Sequence, residues 1–270
     1  YDFHLQTFDM SQICDIIMPG LYIADGTSID FSLDESNLLD FNFTSSSIAF
    51  GNRKGSSYSL DNVRLNAGNT GSDVKGSLTV DRIKSGNMTV DNAMISLDED
   101  GKDMLLKLSY NNADTTWLDM SARINAWKNP AGKIMADIDI DSSGLNIRNH
   151  TWILSPTAVS IRPRNYSIQG FGLYGAQDSL RIYGTISEDP DSVLSIRLAN
   201  LNLDLLNSFT GTDLDIQGRM SGEVDLFNFF SGMGANMEVT GDSISLKGEN
   251  LGQLSVRSRR DLARNRFNIL

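Results

Sequence analysis

The chain has 270 residues, 40% of them hydrophobic and 21% charged, a balance typical of a folded protein and not of a disordered one. Its formal net charge of −11 repels phosphate backbones and anionic lipid headgroups, which argues against nucleic-acid binding and electrostatic membrane docking. The single cysteine, Cys14, excludes an intrachain disulfide, and no stretch approaches the roughly 18 consecutive apolar residues that a membrane-spanning helix needs.

Alternation of apolar and polar residues, the pattern of a strand with one buried face, recurs along the whole chain. Both ends alternate, at 1–5 and 267–270, so we expect the chain to belong to a longer protein that carries any export signal or anchor. The other alternating runs, in chain order, are 29–33, 41–43, 106–110, 118–124, 134–140, 159–161, 166–168, 180–186, 194–198, 214–216, 237–239, 244–246 and 254–256.

Turn-forming residues separate the runs, for example at Asp100-Gly101, Asp189-Pro190-Asp191 and Thr240-Gly241-Asp242. Helical periodicity is limited to 11–18 and 204–209, each about two turns at most. With only 5 prolines in the chain, strands can pair without interruption. The sequence therefore predicts an all-β fold, an antiparallel sheet with one or two short helical turns.

Two segments of the chain, 61–80 and 91–110, resemble each other. Their identities fall at the pairs Asp61/Asp91, Asn62/Asn92, Gly71/Gly101, Asp73/Asp103 and Leu78/Leu108. The second segment begins at residue 91 and the first at residue 61, and this distance along the chain leaves room for two or three strands with their turns. We therefore expect a hairpin-like repeating unit. Strand repeats at fixed spacing favour an elongated sheet in which each unit contacts its neighbours.

The segment LANLNLDLLNSFTGTDLDIQGRMSGEVDLFN, 198–228, resembles the repeats of the bacterial TamB and AsmA-like proteins. The family pattern L-x-I-x-G-x-x-S-G-x-V-x-L is matched here by Leu214, Ile216, Gly218, Ser221, Gly222, Val224 and Leu226. Upstream, the similarity is carried by Trp152, Tyr166, Ile168, Gly170, Leu173, Asp178 and the run 180–186. The resemblance is closer over 145–258 than over 1–144, so we distinguish two regions, 1–144 and 145–270, continuous as one fold.

The resemblance implies a β-sheet curled into an open, taco-like groove with apolar side chains inside. It implies a place in the periplasm of a Gram-negative bacterium, with the full-length protein anchored in the inner membrane. The implied role is to handle phospholipids or other amphiphiles, to assist outer-membrane protein assembly, or both. An outer-membrane assembly component would be the partner, through a C-terminal region beyond this chain.

We expect the groove to bind by apolar area, at roughly 25 cal/mol per Å² buried, and not through any single chemical group. The expected lining residues are Leu180, Ile182, Ile186, Ile196, Leu198, Leu214, Ile216, Met220, Val224, Met237, Val239, Ile244 and Leu246. The outer face should be polar, with Asp137 and Asp139 opposite Ile138 and Ile140.

Candidates for chemistry are few. The chain has two histidines, His4 and His150, neither beside a nucleophile motif, and Cys14 lies in an apolar stretch typical of a small buried residue. The segment 98–103 (DEDGKD) lacks the ligand spacing of a calcium loop and fits a solvated hairpin turn. We therefore expect no catalytic site, metal or cofactor.

Two other functions remain open. An extracellular carbohydrate-binding β-sandwich could stack sugar rings on Trp117, Trp127 and Trp152, although the apolar runs around Trp117 and Trp152 favour core or groove packing. A purely structural spacer would bury the same apolar stripes in a closed core.

Overall fold

The computed structural model describes residues 1–6, 14, 20–51, 57–71, 73–85, 88–112, 116–147, 150–204, 215–261 and 266–269. Within them the chain forms twenty β-strands, and the strand pairs are antiparallel at every register described below. The prediction of an all-β antiparallel fold with repeated strands is confirmed.

The strands follow one another closely, most of them joined by short turns. The first ten are β1 (Asp2–Gln6), β2 (Leu21–Ile23), β3 (Ser28–Leu33), β4 (Leu39–Gly51), β5 (Ser57–Thr70), β6 (Asp73–Ser85), β7 (Met88–Asp100), β8 (Asp103–Asn112), β9 (Thr116–Lys128) and β10 (Ile134–Ile140). The second ten are β11 (Ser143–Ile147), β12 (His150–Leu154), β13 (Thr157–Arg162), β14 (Asn165–Tyr174), β15 (Ser179–Ser187), β16 (Val193–Asn202), β17 (Ile216–Phe227), β18 (Gly234–Leu246), β19 (Glu249–Asp261) and β20 (Arg266–Ile269).

Two compact units divide the chain. The N-terminal unit contains residues 1–123 and 146–149, and the C-terminal unit contains 124–145 and 150–270. The boundary expected from the sequence, between 144 and 145, falls in the stretch 124–145 of the C-terminal unit.

Each unit is built on a succession of neighbouring strands. In the N-terminal unit the order is β1, β3, β4, β5, β6, β7, β8, with β2 also paired to β4. In the C-terminal unit the order is β10, β13, β14, β15, β16, β17, β18, β19, β20, with β12 also paired to β14. From β13 to β20 each strand pairs antiparallel with the next along the chain, including β16 and β17, which are separated by the longer stretch 203–215.

The internal repeat corresponds to two strands and their turns. Gly71 and Gly101 occupy equivalent hairpin turns, β5–β6 and β7–β8, with φ values of +70° and +69°. Left-handed backbone at such a turn favours glycine. Asp100 pairs with Asp103, so the segment 98–103 is a hairpin turn, as expected.

Asn62 and Asn92 interrupt β5 and β7 at equivalent points of the repeat, each with left-handed backbone (φ +53°). Leu60 lies two positions before Asn62 and Val63 one position after it. In a regular strand Leu60 and Val63 would point to opposite faces, because side chains alternate. The left-handed residue interrupts this alternation, so that Leu60 and Val63 can lie on one face. No extra residue is inserted, because the register of β5 against β6 is the same on both sides of Asn62.

Polar contacts accompany the interruption at Asn62. The Asn62 side chain donates a hydrogen bond to Asp81 at 2.9 Å, and Arg64 lies 3.6 Å from the same carboxylate. Lys84 lies 4.0 Å from Asp61. Polar side chains therefore occupy the positions next to Leu60 and Val63 and pair there across β5 and β6.

The sequence prediction of a turn at Thr240-Gly241-Asp242 is wrong. β18 runs through these residues, and the runs 237–239 and 244–246 belong to this one strand. Its register against β17 and β19 shifts here, with Ser243 in left-handed backbone (φ +53°). A bulge, like a turn, needs a residue that tolerates positive φ. The same residue types therefore occur in both, and here they form a bulge within the strand.

The predicted helical turns are described only at Cys14 and Asp204, where the backbone is helical. The rest of 11–18 and 204–209 lies outside the described residues. In the described part of the chain, no helix has the length and apolar character to cross a bilayer.

Asn62→Val should lower the free energy of unfolding by about 1–2 kcal/mol, because a β-branched residue is strained at positive φ. Asn62→Gly should cost less, since glycine adopts this backbone freely. Asn66→Val, on the polar face of the same strand in ordinary extended backbone, is the matched control and should be nearly neutral. Urea unfolding followed by circular dichroism measures all three, and equal losses in the valine and glycine variants would show that backbone strain is not the cause.

Candidate apolar binding surface

Strand register in the C-terminal unit aligns the apolar residues into rows. Residues directly opposite each other in antiparallel strands point to the same face. One row runs from β14 to β18 through Phe171, Ile182, Ile196, Val224 and Met237. The next row runs through Leu173, Leu180, Leu198, Gly222, Val239 and Val256. We call the side of the sheet that carries these rows the apolar face, and the opposite side the polar face.

The structure places every described member of the expected lining set on this face. Alternation and register assign Leu180, Ile182, Ile186, Ile196, Leu198, Ile216, Met220, Val224, Met237, Val239, Ile244 and Leu246 to it. Leu214 lies outside the described residues. Ile216 is the first residue of β17, so it lies towards the margin of the face, whereas Ile196 lies at its centre.

Three bulges keep the apolar side chains on this face. They are centred on Gly170 (φ +81°), Asn200 (φ +50°) and Ser243 (φ +53°). Each is accompanied by a register shift in which two residues on one strand oppose one on its neighbour. At Asn62 in the N-terminal unit the backbone is also left-handed, but the register there does not shift.

Sequence reasoning missed several members of the apolar face. A third row contains Val159, Ile168, Gly184, Leu194, Leu226 and Ala235 and extends the face to β13. On β10 the row continues to Ile138, which the sequence had already placed opposite the polar outer face. Phe171, Leu173, Leu254 and Val256 were also left out of the expected set. The available signal was the spacing of three between apolar residues around a glycine or asparagine, which breaks strict alternation and conceals the shared face.

The described positions on the apolar face of β13 to β18 contain no Asp, Glu, Lys, Arg or His. Charged side chains lie on the polar face and pair there. Arg197 contacts Asp225 at 2.9 Å and Glu223 at 3.2 Å, and Arg257 contacts Glu238 at 2.5 Å. A sheet with its charges on one side can remain soluble while its other side stays apolar.

The apolar face is only partly covered. Among its expected lining residues, Val239 (7% exposed) and Ile244 (4%) are buried, while Leu246 is 38% exposed. The others described are neither fully buried nor fully exposed. In a closed β-sandwich a second sheet covers the inner face and buries most of its large side chains. Partial exposure therefore favours a face that a ligand can reach.

Gly222 occupies a position of β17 that requires glycine. Its backbone has a φ of +144°, and an added Cβ would lie 2.2 Å from the carbonyl oxygen of Glu238 on the next strand. No larger residue fits without moving β17 away from β18. Gly222 therefore permits close strand approach and leaves a gap in the apolar row between Leu198 and Val239.

The N-terminal unit has an apolar row of its own. It runs from β4 to β8 through Phe43, Leu65, Leu78, Ile95 and Leu108. Tyr110 follows Leu108 on the same face of β8, and burial raises the pKa of its hydroxyl above the usual value. The segregation of apolar and polar side chains is thus repeated in this unit.

The other sequence candidates do not form a chemical site. His4 is exposed and contacts Asp30, His150 is exposed at the start of β12, and Cys14 is buried. Across the described residues, no three His, Cys, Asp or Glu side chains are grouped so as to hold a metal ion.

Two of the three tryptophans have ring faces that other residues cover. Trp152 is 3% exposed, so its ring faces are not available for stacking, and its Nε1 has no hydrogen-bond partner among the described residues. Trp127 is 38% exposed, but the guanidinium of Arg162 lies over its ring, 4.6 Å from the centroid. Trp117 is half-buried in β9.

No protein-family model, curated protein or solved structure matches the chain. The resemblance to TamB and AsmA-like proteins therefore stays a prediction, and the apolar face is defined by this chain's own register.

Asp137, on the polar face, should contribute to the stability of the protein in a pH-dependent way. Arg162 donates two hydrogen bonds to this carboxylate, at 2.7 Å and 2.9 Å, and holds the pKa of Asp137 below its usual range. A carboxyl whose pKa is lowered by folding stabilises the protein above its unfolded pKa of about 3.9, and that stability is lost as the pH falls through the folded value. Asp137→Asn should therefore lower the melting temperature at pH 7, with a difference that vanishes in acid.

Asp139→Asn is the matched control, since Asp139 is exposed on the same strand and face and forms no ion pair with a described residue. Its melting temperature should follow the wild type at every pH. A difference for Asp137→Asn that stayed constant down to pH 2 would show that the effect is not electrostatic.

Proposed function

We propose that the apolar face of the C-terminal unit binds the acyl chains of phospholipids or other amphiphiles. The observation that carries the proposal is a charge-free apolar face, continuous across neighbouring strands and only partly covered. Acyl chains need a continuous apolar surface, because each buried methylene gains about 0.8 kcal/mol. Backbone polar groups inside the sheet are paired in the strand ladder, so they do not oppose an apolar ligand.

The dimensions of the face suit this ligand. Apolar positions extend over eight strands, β10 and β13 to β19, and at roughly 4.8 Å between strands they cover about 34 Å. An acyl chain in one leaflet of a bilayer spans about 15 Å, half of a 30 Å hydrocarbon core. The face is thus long enough for two chains placed end to end.

The wider role follows the sequence resemblance. We propose that the chain is a periplasmic section of an envelope-spanning bridge in a Gram-negative bacterium, anchored in the inner membrane through another part of the protein. In that setting it would handle phospholipids, assist outer-membrane protein assembly with a partner bound through a region beyond this chain, or both. The proposed binding uses no catalytic group and no cofactor.

The first test is site-specific photocrosslinking. A benzophenone amino acid at position 196, at the centre of the apolar face, should crosslink to phospholipid from vesicles of phosphatidylethanolamine and phosphatidylglycerol. The same amino acid at position 199, exposed on the polar face of the same strand, should give only background. Mass spectrometry of the adducts reads out the result, and equal labelling at both positions would contradict binding to the apolar face.

The second test introduces a charge. Ile196→Asp should reduce the phospholipid that co-purifies with the chain by about tenfold or more, because an unpaired carboxylate among acyl chains costs about 2.5–3.5 kcal/mol. Ala199→Asp, with the same charge on the polar face, should leave lipid binding unchanged. Circular dichroism and urea unfolding establish that both variants fold.

A folded Ile196→Asp variant that loads lipid like the wild type would reject the proposal. A wild-type chain that takes up no lipid from vesicles would instead indicate a structural spacer.

A further inference from the structure

The polar face of the C-terminal unit carries a depression of about 520 Å³ where β14 pairs with β15. This volume lies within the roughly 300–1,000 Å³ typical of pockets that bind small molecules. Side chains around it include Ser167, Gln169, Tyr174, Arg181, Tyr183 and Thr185. Arg181, Tyr183 and Thr185 alternate with the apolar residues of β15 and so point to the polar face, although Ile168, Phe171 and Gly184 of the apolar rows also border the depression.

The backbone creates the depression by removing side chains from its floor. The bulge of β14 between Ile168 and Phe171 places Gly170 at this point, next to Tyr183 on β15. Gly172 pairs with Arg181, and an added Cβ at Gly172 would lie 2.6 Å from a ring carbon of Tyr174. The Tyr174 ring therefore lies over the space left by Gly172 and forms one wall.

Arg181 gives the depression a positive charge that no ion pair neutralises. It is exposed, and no carboxylate of a described residue lies within ion-pair distance of its guanidinium. Arg197 on the adjacent strand, by contrast, contacts both Glu223 and Asp225. In a chain of net charge −11, an exposed arginine without an acidic partner is a specific attraction for an anion.

Two tyrosines add aromatic surface. Tyr174 is 41% exposed and Tyr183 is 36% exposed. The guanidinium of Arg181 lies 5.7 Å from the centroid of the Tyr183 ring and that of Arg197 lies 5.9 Å from it, so the aromatic ring and positive charge lie at the same place. Exposed tyrosine combines a flat apolar face with a polar hydroxyl, which suits a ligand with both kinds of surface.

We propose that this pocket binds an acidic saccharide, a pyranose ring that bears a carboxylate. The tyrosine rings would contact the C–H face of the sugar, and the hydroxyls of Ser167 and Thr185 with the amide of Gln169 would bind its hydroxyl groups. Arg181 would bind the carboxylate, for which its planar guanidinium is matched in geometry.

An acidic peptide fits the site less well. Peptides bind sheets by adding a strand to a free edge, where unpaired backbone groups are available. β14 pairs with β13 and β15, and β15 pairs with β14 and β16, so the pocket lies within the sheet and away from an edge. The groups available to a ligand here are side chains, and they suit a compact polyhydroxy molecule.

The test uses trigalacturonate as the acidic probe and galactotriose as its neutral counterpart. Wild-type protein should bind trigalacturonate in isothermal titration calorimetry and in saturation-transfer NMR, and should bind galactotriose more weakly. Added salt should weaken the binding of trigalacturonate and leave the binding of galactotriose unchanged, because only the first depends on charge.

Variants separate the parts of the proposal. Tyr183→Ala should abolish binding of both probes. Arg181→Gln should lower the affinity for trigalacturonate by about tenfold and leave the affinity for galactotriose unchanged. Gly172→Ala, which requires the Tyr174 ring to move, should weaken both probes. Arg219→Gln, at an exposed arginine of the polar face outside the pocket lining, is the control and should match the wild type.

Failure of the wild type to bind trigalacturonate at millimolar concentration would overturn the proposal. Binding that survives Tyr183→Ala, or that falls equally in Arg181→Gln and Arg219→Gln, would also overturn it, since the interaction would then be non-specific attraction to surface charge. Because neither probe has acyl chains, these outcomes are separate from the outcome of the lipid tests.

Discussion

The period-two pleat of the β-strand is the constraint on which both units depend. A strand displaced by one residue turns its whole apolar set to the opposite face, so an apolar face can extend over many strands only if register is kept or deliberately reset. In the C-terminal unit it is reset at bulges that contain the left-handed residues Gly170, Asn200 and Ser243. At Asn62 and Asn92 in the N-terminal unit, left-handed backbone interrupts the pleat while the register is kept. Each interruption costs regular pairing at one point and preserves the segregation of apolar from charged side chains.

That segregation has an energetic consequence. Soluble proteins rarely leave large contiguous apolar patches exposed, because each Å² of such surface costs about 25 cal/mol in water. The partly exposed rows around Ile196 therefore support the proposed binding of an apolar ligand. The paired arginines and carboxylates of the polar face, with a net charge of −11, keep the molecule soluble while the apolar face stays accessible.

Much of this fold could be predicted from the sequence, because alternation depends only on neighbouring residues. The run 134–140 coincides with β10, and the repeated Asp-Asn pair marks equivalent points in β5 and β7. The same local view failed at Thr240-Gly241-Asp242, where residues that allow positive φ produce a bulge and the strand continues. Phe171 and Leu173 were missed because a bulge separates them from the alternating run at 166–168.

Register across strands lies beyond such local reasoning. The rows of the apolar face, the burial of Trp152 and the presence of Tyr174 and Arg181 around one pocket all depend on which residues of separate strands are paired. Alternation assigns a residue to one of two faces of its own strand, but it does not say what lies opposite. Candidate lining residues could therefore be named from the sequence, whereas the pocket on the other face could not.

Gly170 connects the two faces of the C-terminal unit. The extra residue at this bulge brings Phe171 onto the apolar face, in line with Ile182 and Ile196. On the polar face it leaves a position without a side chain next to Tyr183, and this opens the pocket. An added Cβ at Gly170 would lie 2.8 Å from the carbonyl oxygen of Pro156, and the φ of +81° disfavours any other residue, so glycine is required for both effects. One backbone irregularity thus maintains a continuous apolar surface on one side of the sheet and creates a concave polar site on the other.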